Sequence, residues 1–252
     1  MLVRNLVTGS TPNILHRNGD PPGWRERWQD IVTSFFEEAQ ESCAPSPELT
    51  ILTWSNRPTK SLLERCLDRR GVPYLTLGSE MPEWRNDAKP YLITAALDRV
   101  ISEYVLGLDS DDVLVVSCPQ RIVAGFRACA CDILFSAERT STPDMPCLTE
   151  FERSIAESPF GHLNAGAWIG KTDACRGFFR DCLREDKGDI VAAFPTRRFF
   201  KSDQGMTRKT FRRYHPAARL DYHCRVFQSL FSVPLDGEVV ITVNGESTTA
   251  AR

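Results

Sequence analysis

No stretch of this chain approaches the roughly 20 consecutive apolar residues that a membrane-spanning helix needs. Its opening, Met1-Leu-Val-Arg-Asn-Leu6, lacks the apolar core of an export signal. An excess of either charge is missing too, since 31 basic against 33 acidic side chains leave a formal charge of −2. That balance argues against a protein built to coat nucleic acid or an anionic membrane. Cysteine is plentiful, yet the nine Cys include no C-x-x-C, and Cys129-Ala-Cys131 is too close for a usual zinc half-site. Without an export signal they are expected to be free thiols in a reducing cytoplasm, packed mostly as small hydrophobes. Repeats and low-complexity tracts are absent as well. The 252 residues, 42% apolar with 14 Phe, suffice for one large domain or two small ones around an ordinary core.

What is present alternates between strand and helix. Leu49–Trp54 has the apolar, β-branched character of a strand, followed by a loop at Ser55–Pro58. A helix is expected from about Thr59 to Arg70, with Leu62, Leu63, Cys66 and Leu67 on one face and Gly71 as its stop. Val72–Leu77 is a second strand, and Pro90 opens a helix whose Leu92, Ala95, Ala96, Val100 and Ile101 are spaced for burial. A further helix near Pro119–Cys129 leads to a strand at Asp132–Ala137, and Glu238–Val243 is a strand running into a turn at Asn244-Gly245. Arg139–Phe160, rich in Pro, Ser and Thr, is expected to be a long loop, and residues 41–48 a linker. This alternation indicates an α/β domain with a largely parallel sheet, whose ligands gather outside the carboxyl ends of the strands.

One segment breaks the pattern. Tyr104–Val116 is an apolar run interrupted by Asp109, Asp111 and Asp112. A carboxylate inside a buried strand costs several kcal/mol, to order of magnitude, unless a cation or donors meet it. Two readings fit: the strand ends at Asp109 and the acids hold a hard divalent ion, or they are solvated in a turn.

Five segments in order point further: Leu108-Asp-Ser-Asp-Asp-Val113, Ile133-Leu-Phe-Ser-Ala-Glu138, Leu163-Asn-Ala-Gly-Ala-Trp-Ile-Gly170, Ser202-Asp-Gln204 and Leu220-Asp-Tyr-His-Cys-Arg-Val-Phe-Gln228. The series resembles the glycosyltransferase domain of the procollagen lysyl hydroxylases, where D-x-x-D, L-N-S-G-G-F-I-G, D-D-Q and L-D-H-K-C-x-I-F-Q stand in that order. The likeness spans roughly Leu49 to Val243 and implies a GT-A fold, a Rossmann-like, mostly parallel sheet flanked by helices. In that family, E-V-V-L is followed by R-N and then by a strand ending H-G-N-G-P. Here Glu238-Val-Val-Ile241 lies near the carboxyl end, whereas Arg4-Asn5 and Pro12-Asn-Ile-Leu-His16-Arg-Asn18-Gly19 lie at the amino end. The resemblance therefore implies a circular permutation within a single domain. Residues 1–40 are the family's last strand and helix, 41–48 the linker, and 49–243 the donor- and acceptor-binding core.

The resemblance also assigns roles. Asp109, Asp112 and His16 become ligands of Mn2+ or Mg2+, a mixed oxygen and imidazole set suiting manganese better than calcium. The donor becomes a nucleotide sugar, most often UDP-linked, and the partner a hydroxyl-bearing acceptor. Trp84, Thr53, Ser55, Lys89, Asn18 and Gly19 are expected around the nucleotide. Asp111 stands where relatives carry an aromatic that stacks on the base. Asn164, Asp203 and Glu138 are expected at the sugar and reaction centre, and Asp221-Tyr222 is expected to be structural. The run Phe199-Phe-Lys-Ser202 replaces a family run of acids. Two other readings use the same residues: a haloacid-dehalogenase-type phosphatase with Asp109 as nucleophile and Asp111 as acid, or a catalytically silent fold that only binds.

Overall fold

A computed structural model of the chain describes every residue except 20–22, 39–41, 186–201, 235–236, 244–245 and 249–252. Its central sheet is built from six strands, β3 (Leu49–Trp54), β4 (Leu75–Leu77), β5 (Tyr104–Leu108), β7 (Ile133–Glu138), β8 (His162–Lys171) and β9 (Ala218–Leu220). They lie in the order β4-β3-β5-β8-β7-β9. β3 pairs in parallel with β4 and β5, and β7 with β9, but β8 runs antiparallel to both of its neighbours. The α/β architecture is as expected and the sheet is mostly parallel, with β8 as the reversed strand. Every residue of β5 and β7 is buried, consistent with strands covered on both faces.

Glycine in the middle of β5 has a packing reason. Gly107 pairs with Trp168 on β8, and a Cβ there would lie 2.3 Å from the indole. The backbone must stay bare for the ring to lie against it.

Helices cover the sheet: α2 (Leu62–Arg69), α3 (Lys89–Leu97), α4 (Pro119–Arg127), α5 (Pro146–Ile155), α6 (Thr172–Cys182) and α7 (Asp203–Tyr214). α2 begins at Leu62, three residues later than the expected Thr59, because Ser61 caps it in a reciprocal capping box with Glu64. α3 starts at Lys89 with Pro90 in its first turn, as the sequence suggests. Against expectation, it ends at Leu97 and buries Ile93 and Leu97, leaving Val100 beyond it and Ile101 fully exposed. α3 packs on α6, and α6 on α7. The expected loop over Arg139–Phe160 is corrected, because α5 occupies its middle and buries Leu148, Thr149 and Glu152. The turn at Asn244-Gly245 and residues 199–201 lie outside the described residues.

The amino-terminal segment builds the remaining structure with partners from far along the chain. β1 (Leu2–Asn5) pairs antiparallel with β11 (Val239–Val243), which also pairs with β12 (Glu246–Thr248). β2 (Ile14–His16) lies between β10 (Phe227–Ser229) and β6 (Val113–Val115) in a second small sheet. The apolar run after the acids thus leaves the main sheet instead of extending it. α1 (Trp24–Glu37) buries Trp24, Trp28, Ile31, Val32 and Phe35. The Trp24 indole donates to the carbonyl of Val233 at 2.9 Å.

The cysteine expectation also needs correction. Cys43 and Cys118 form a disulfide, with Cys66, Cys129, Cys131, Cys147, Cys175, Cys182 and Cys224 free. Burial lifts the thiols of Cys66 and Cys182 to about 12, keeping them neutral as small hydrophobes should be. Among the described residues no helix is long and apolar enough to cross a membrane.

Candidate active site

The acids fall where β5 leaves the sheet. Asp109 follows Leu108 directly, and its N–H donates to the carbonyl of Gly166 on β8 at 2.7 Å. Its Oδ1 accepts from the Trp54 indole at 2.7 Å and from the Lys89 ammonium at 2.7 Å. Asp112 opens the way into β6, which pairs with β2, and this register brings in His16 from the other end of the chain. His16 Nε2 stands 3.3 Å from Asp112 Oδ1 and 3.9 Å from Asp109 Oδ2. One ligand atom from each of the three lies within 4.8 Å of the others.

Electrostatics mark this trio as a matched set. Burial alone would lower the His16 pKa, but Asp112, then Asp109 and Glu138, outweigh it and raise the imidazole above its ordinary 6.5. Burial alone would raise Asp112, but His16, the Gly19 N–H and Arg17 bring it down to about 2. Yet both ring nitrogens of His16 are buried without a hydrogen bond of good geometry. A buried imidazole nitrogen facing two carboxylates, with no donor or acceptor aligned to it, fits a divalent cation with mixed N and O ligands.

Gly166 is a site residue that motif reading alone misses. A Cβ there would lie 2.3 Å from Asp109 Oδ2 and 2.7 Å from His16 Cε1. Gly166→Ala is therefore expected to push Asp109 and His16 apart, weakening any divalent-cation binding by the cluster, at an overpacking cost of about 1–3 kcal/mol. Calorimetric metal titration beside a melting curve checks this, and undiminished Mn2+ affinity contradicts it.

Two adjoining cavities share Asn18, Gly19, Asn86, Lys89 and Asp109 as common wall. The first, about 370 Å³, is completed by Trp54, Ser55, Asn56, Arg57, Trp84 and Asp111, among others. Thr53, expected beside it, is instead fully buried, and its hydroxyl donates to the Leu108 carbonyl at 3.0 Å. Asp111 pairs with Arg57 at 2.7 Å, while burial raises its pKa and Arg57 opposes the rise.

The second cavity, about 280 Å³, adds Glu138, Asn164, Asp203 and Gln204. Glu138 ends β7 and accepts from Gln204 at 3.0 Å, from Asn164 at 3.3 Å and from Asn18. Burial nevertheless carries its carboxyl up to about 7, with those amide donors and His16 pulling the other way. Asn164 in turn accepts the Gly166 N–H at 2.9 Å, linking the second cavity to the strand that packs on Asp109 and His16. Asp203, the first residue of α7, is raised by burial, and Lys89 at 3.4 Å opposes that shift. One ammonium thus bridges Asp109 and Asp203. Asp221 is structural as expected, accepting the N–H groups of Arg225, Val226 and Phe227.

The sequence-selected residues are therefore brought together, Thr53 excepted. Trp54, Arg57, Gly166 and Gln204 join them. Trp54 carried an available signal, a tryptophan at the carboxyl end of a strand, where ligands gather.

A family model for the PLOD GT (glycosyltransferase) domain matches residues 88–252, more than half of the chain. No curated protein matches it.

Proposed function

The chain belongs to the PLOD glycosyltransferase-domain family, and from that premise we propose that it moves a hexosyl group from a UDP-sugar to an acceptor hydroxyl, aided by Mn2+ or Mg2+. The observation that carries this reading is the convergence of His16 with Asp109, which lines both cavities, and Asp112, which lines the first. A cation on those ligands supplies Lewis-acid compensation for the diphosphate leaving group.

The protein's own groups do the rest. Lys89 exchanges its carboxylate partners for phosphate oxygens as a point charge. The nucleoside occupies the first cavity, between Ser55, Trp84 and Asp111, with Asn18 and Gly19 near the diphosphate. Asn164 and Asp203 hold sugar hydroxyls in the second. Glu138, half-protonated near pH 7, is suited to take the acceptor hydroxyl proton as C–O bond formation develops.

Measuring UDP release from a panel of UDP-sugars with Mn2+ tests the proposal. Turnover with at least one sugar is expected, as is a rise in Tm with UDP and Mn2+ together, equivalent to about 2.7 kcal/mol at 100 times Kd. The absence of both release and stabilisation sinks the reading, while stabilisation without release turns it into a silent binding fold. The phosphatase alternative is not favoured, since Asp111 is paired with Arg57 and the family is one of glycosyltransferases.

The order of segments supports the proposed circular permutation: β1 and β2 precede everything in the chain yet pair with β11 and β10 near its other end. As for residence, the sequence points to a reducing cytoplasm, whereas a lasting Cys43–Cys118 bond belongs to oxidising surroundings.

A further inference from the structure

The two cavities divide a nucleotide sugar along its length, a division that rests on the nucleotide-sugar reading of the donor. Such a donor runs base, ribose, diphosphate, sugar. Asp109 and Lys89, which suit a cation and phosphates, line both cavities. Glu138, Asn164, Asp203 and Gln204, which suit sugar hydroxyls, line only the second. The base is left with residues confined to the first.

Most polar atoms there already have partners. The Trp54 indole is engaged with Asp109, and the Asn56 amide donates to the Met81 carbonyl at 3.1 Å. The Trp84 indole donates to Asn86 at 2.8 Å, and Ser55 Oγ accepts the Arg57 N–H at 3.2 Å. Of the other residues confined to that cavity, Arg17, Ser110 and Asp112 are buried or half-buried, whereas Arg57 and Asp111 are exposed. Their ion pair joins one guanidinium nitrogen to Asp111 Oδ2 at 2.7 Å, with side chains 61% and 45% exposed, so both have atoms open to a ligand.

We propose that the Arg57–Asp111 pair reads the hydrogen-bonding edge of the base. Asp111 accepts the N3–H of uracil while Arg57 donates to the neighbouring carbonyl oxygen. An imide edge sets a donor beside acceptors, and a carboxylate beside a guanidinium is its complement. Base recognition in this chain is therefore polar and edge-on. The competing role for Arg57, a clamp on the diphosphate with Asp111 as its counter-ion, is separated by the test.

The test compares UDP, N3-methyl-UDP and inorganic pyrophosphate by calorimetric titration of the full chain with Mn2+. Wild type is expected to bind UDP about tenfold or more tightly than the N3-methyl analogue, because methylation leaves the carboxylate unpaired. Asp111→Ala is expected to weaken UDP by about tenfold, bring the ratio of the two nucleotides close to one, and leave pyrophosphate affinity unchanged. Unchanged pyrophosphate binding also shows that the variant is folded. Equal wild-type affinity for the two nucleotides, or a ratio that survives Asp111→Ala, overturns the inference and leaves the nucleotide-sugar reading standing. An Arg57→Ala variant that loses pyrophosphate and UDP alike assigns Arg57 to the phosphates and overturns it too. Binding of neither UDP nor pyrophosphate by wild type defeats the nucleotide-sugar reading along with it.

Discussion

Asp112→Ala is expected to slow Mn2+-dependent UDP release by about 10²–10³-fold, or about 3–4 kcal/mol of barrier. The substitution removes one of the three proposed cation ligands and the carboxylate nearest to His16. It also removes the acceptor of the Gly19 N–H, loosening the segment that carries Asn18 into both cavities. A pH signature accompanies it. The His16 pKa in the folded protein is raised above its ordinary value, so a proton competes with the cation at Nε2, and wild-type Mn2+ affinity rises as pH passes up through that raised value. The stability of the metal-free protein carries the matching sign. The contribution of His16 is complete below about pH 6.5 and lost as pH rises through the folded pKa. Asp112, depressed to about 2, gives stability present above its ordinary carboxylate range and lost as pH falls toward that value. Initial rates of UDP release and Mn2+ titrations across pH 5.5–8.5 (roughly the range of the imidazole) check both parts. An Asp112→Ala enzyme retaining more than about a tenth of wild-type turnover contradicts the metal assignment.

Glu138→Gln is expected to cost activity and to flatten a pH dependence of stability. The wild-type carboxyl is carried by burial to about 7 from an ordinary 4.5, so the folded state holds a proton that the unfolded chain gives up. A group raised in this way contributes stability that is full below about pH 4.5 and is lost as pH climbs through 7. The shift corresponds to about 3 kcal/mol between those limits. The amide has no charge to desolvate and does not show that loss, although its NH2 must be accommodated among the donors from Asn18, Asn164 and Gln204. Catalysis moves the other way. Losing a proton acceptor at the reaction centre is expected to lower turnover by about 10²–10⁴-fold and to remove any limb of the pH–rate profile near 7. Denaturant melts at pH 5 and 8 (the two sides of that titration, to about half a unit) give the stability difference. If wild type and variant lose stability in parallel, Glu138 does not hold the proton assigned to it.

Much of this arrangement was legible in the residues, and the gaps have physical reasons. β3 announces itself by its run of apolar and β-branched residues, and α3 by the proline that suits a first turn. The acids after β5 stand out because charge is costly where a strand is buried on both faces. α5 was hidden by neighbouring Pro, Ser and Thr. Its helical face emerges only once the tertiary packing of Leu148 and Glu152 outweighs local propensity. The reversal of β8 left no local mark, since a strand buried on both faces reads the same in either direction. His16 was reachable only through resemblance, because its spatial neighbours lie some ninety residues away in sequence and no local period encodes that. Trp54 looked like core and is core by burial, yet its one polar atom holds Asp109. Gly166 shows its purpose only when the atoms around a missing Cβ are known.

The bond between Cys43 and Cys118 turns the stretch between them into a covalent macrocycle, closed across a sequence separation of 75. Inside the ring lie Trp54, Arg57, Trp84, Lys89, Asp109, Asp111 and Asp112, so one loop of chain carries much of the first cavity's wall and two of the three proposed cation ligands. His16 and Asn18 reach it from one side of the sequence, and Glu138, Asn164 and Asp203 from the other. Closing a ring of that size removes about 4–5 kcal/mol of unfolded-chain entropy in the simplest treatment. The half of the site proposed to meet the nucleotide is thereby tied to itself, and a cut anywhere between the two cysteines leaves its pieces on a single molecule.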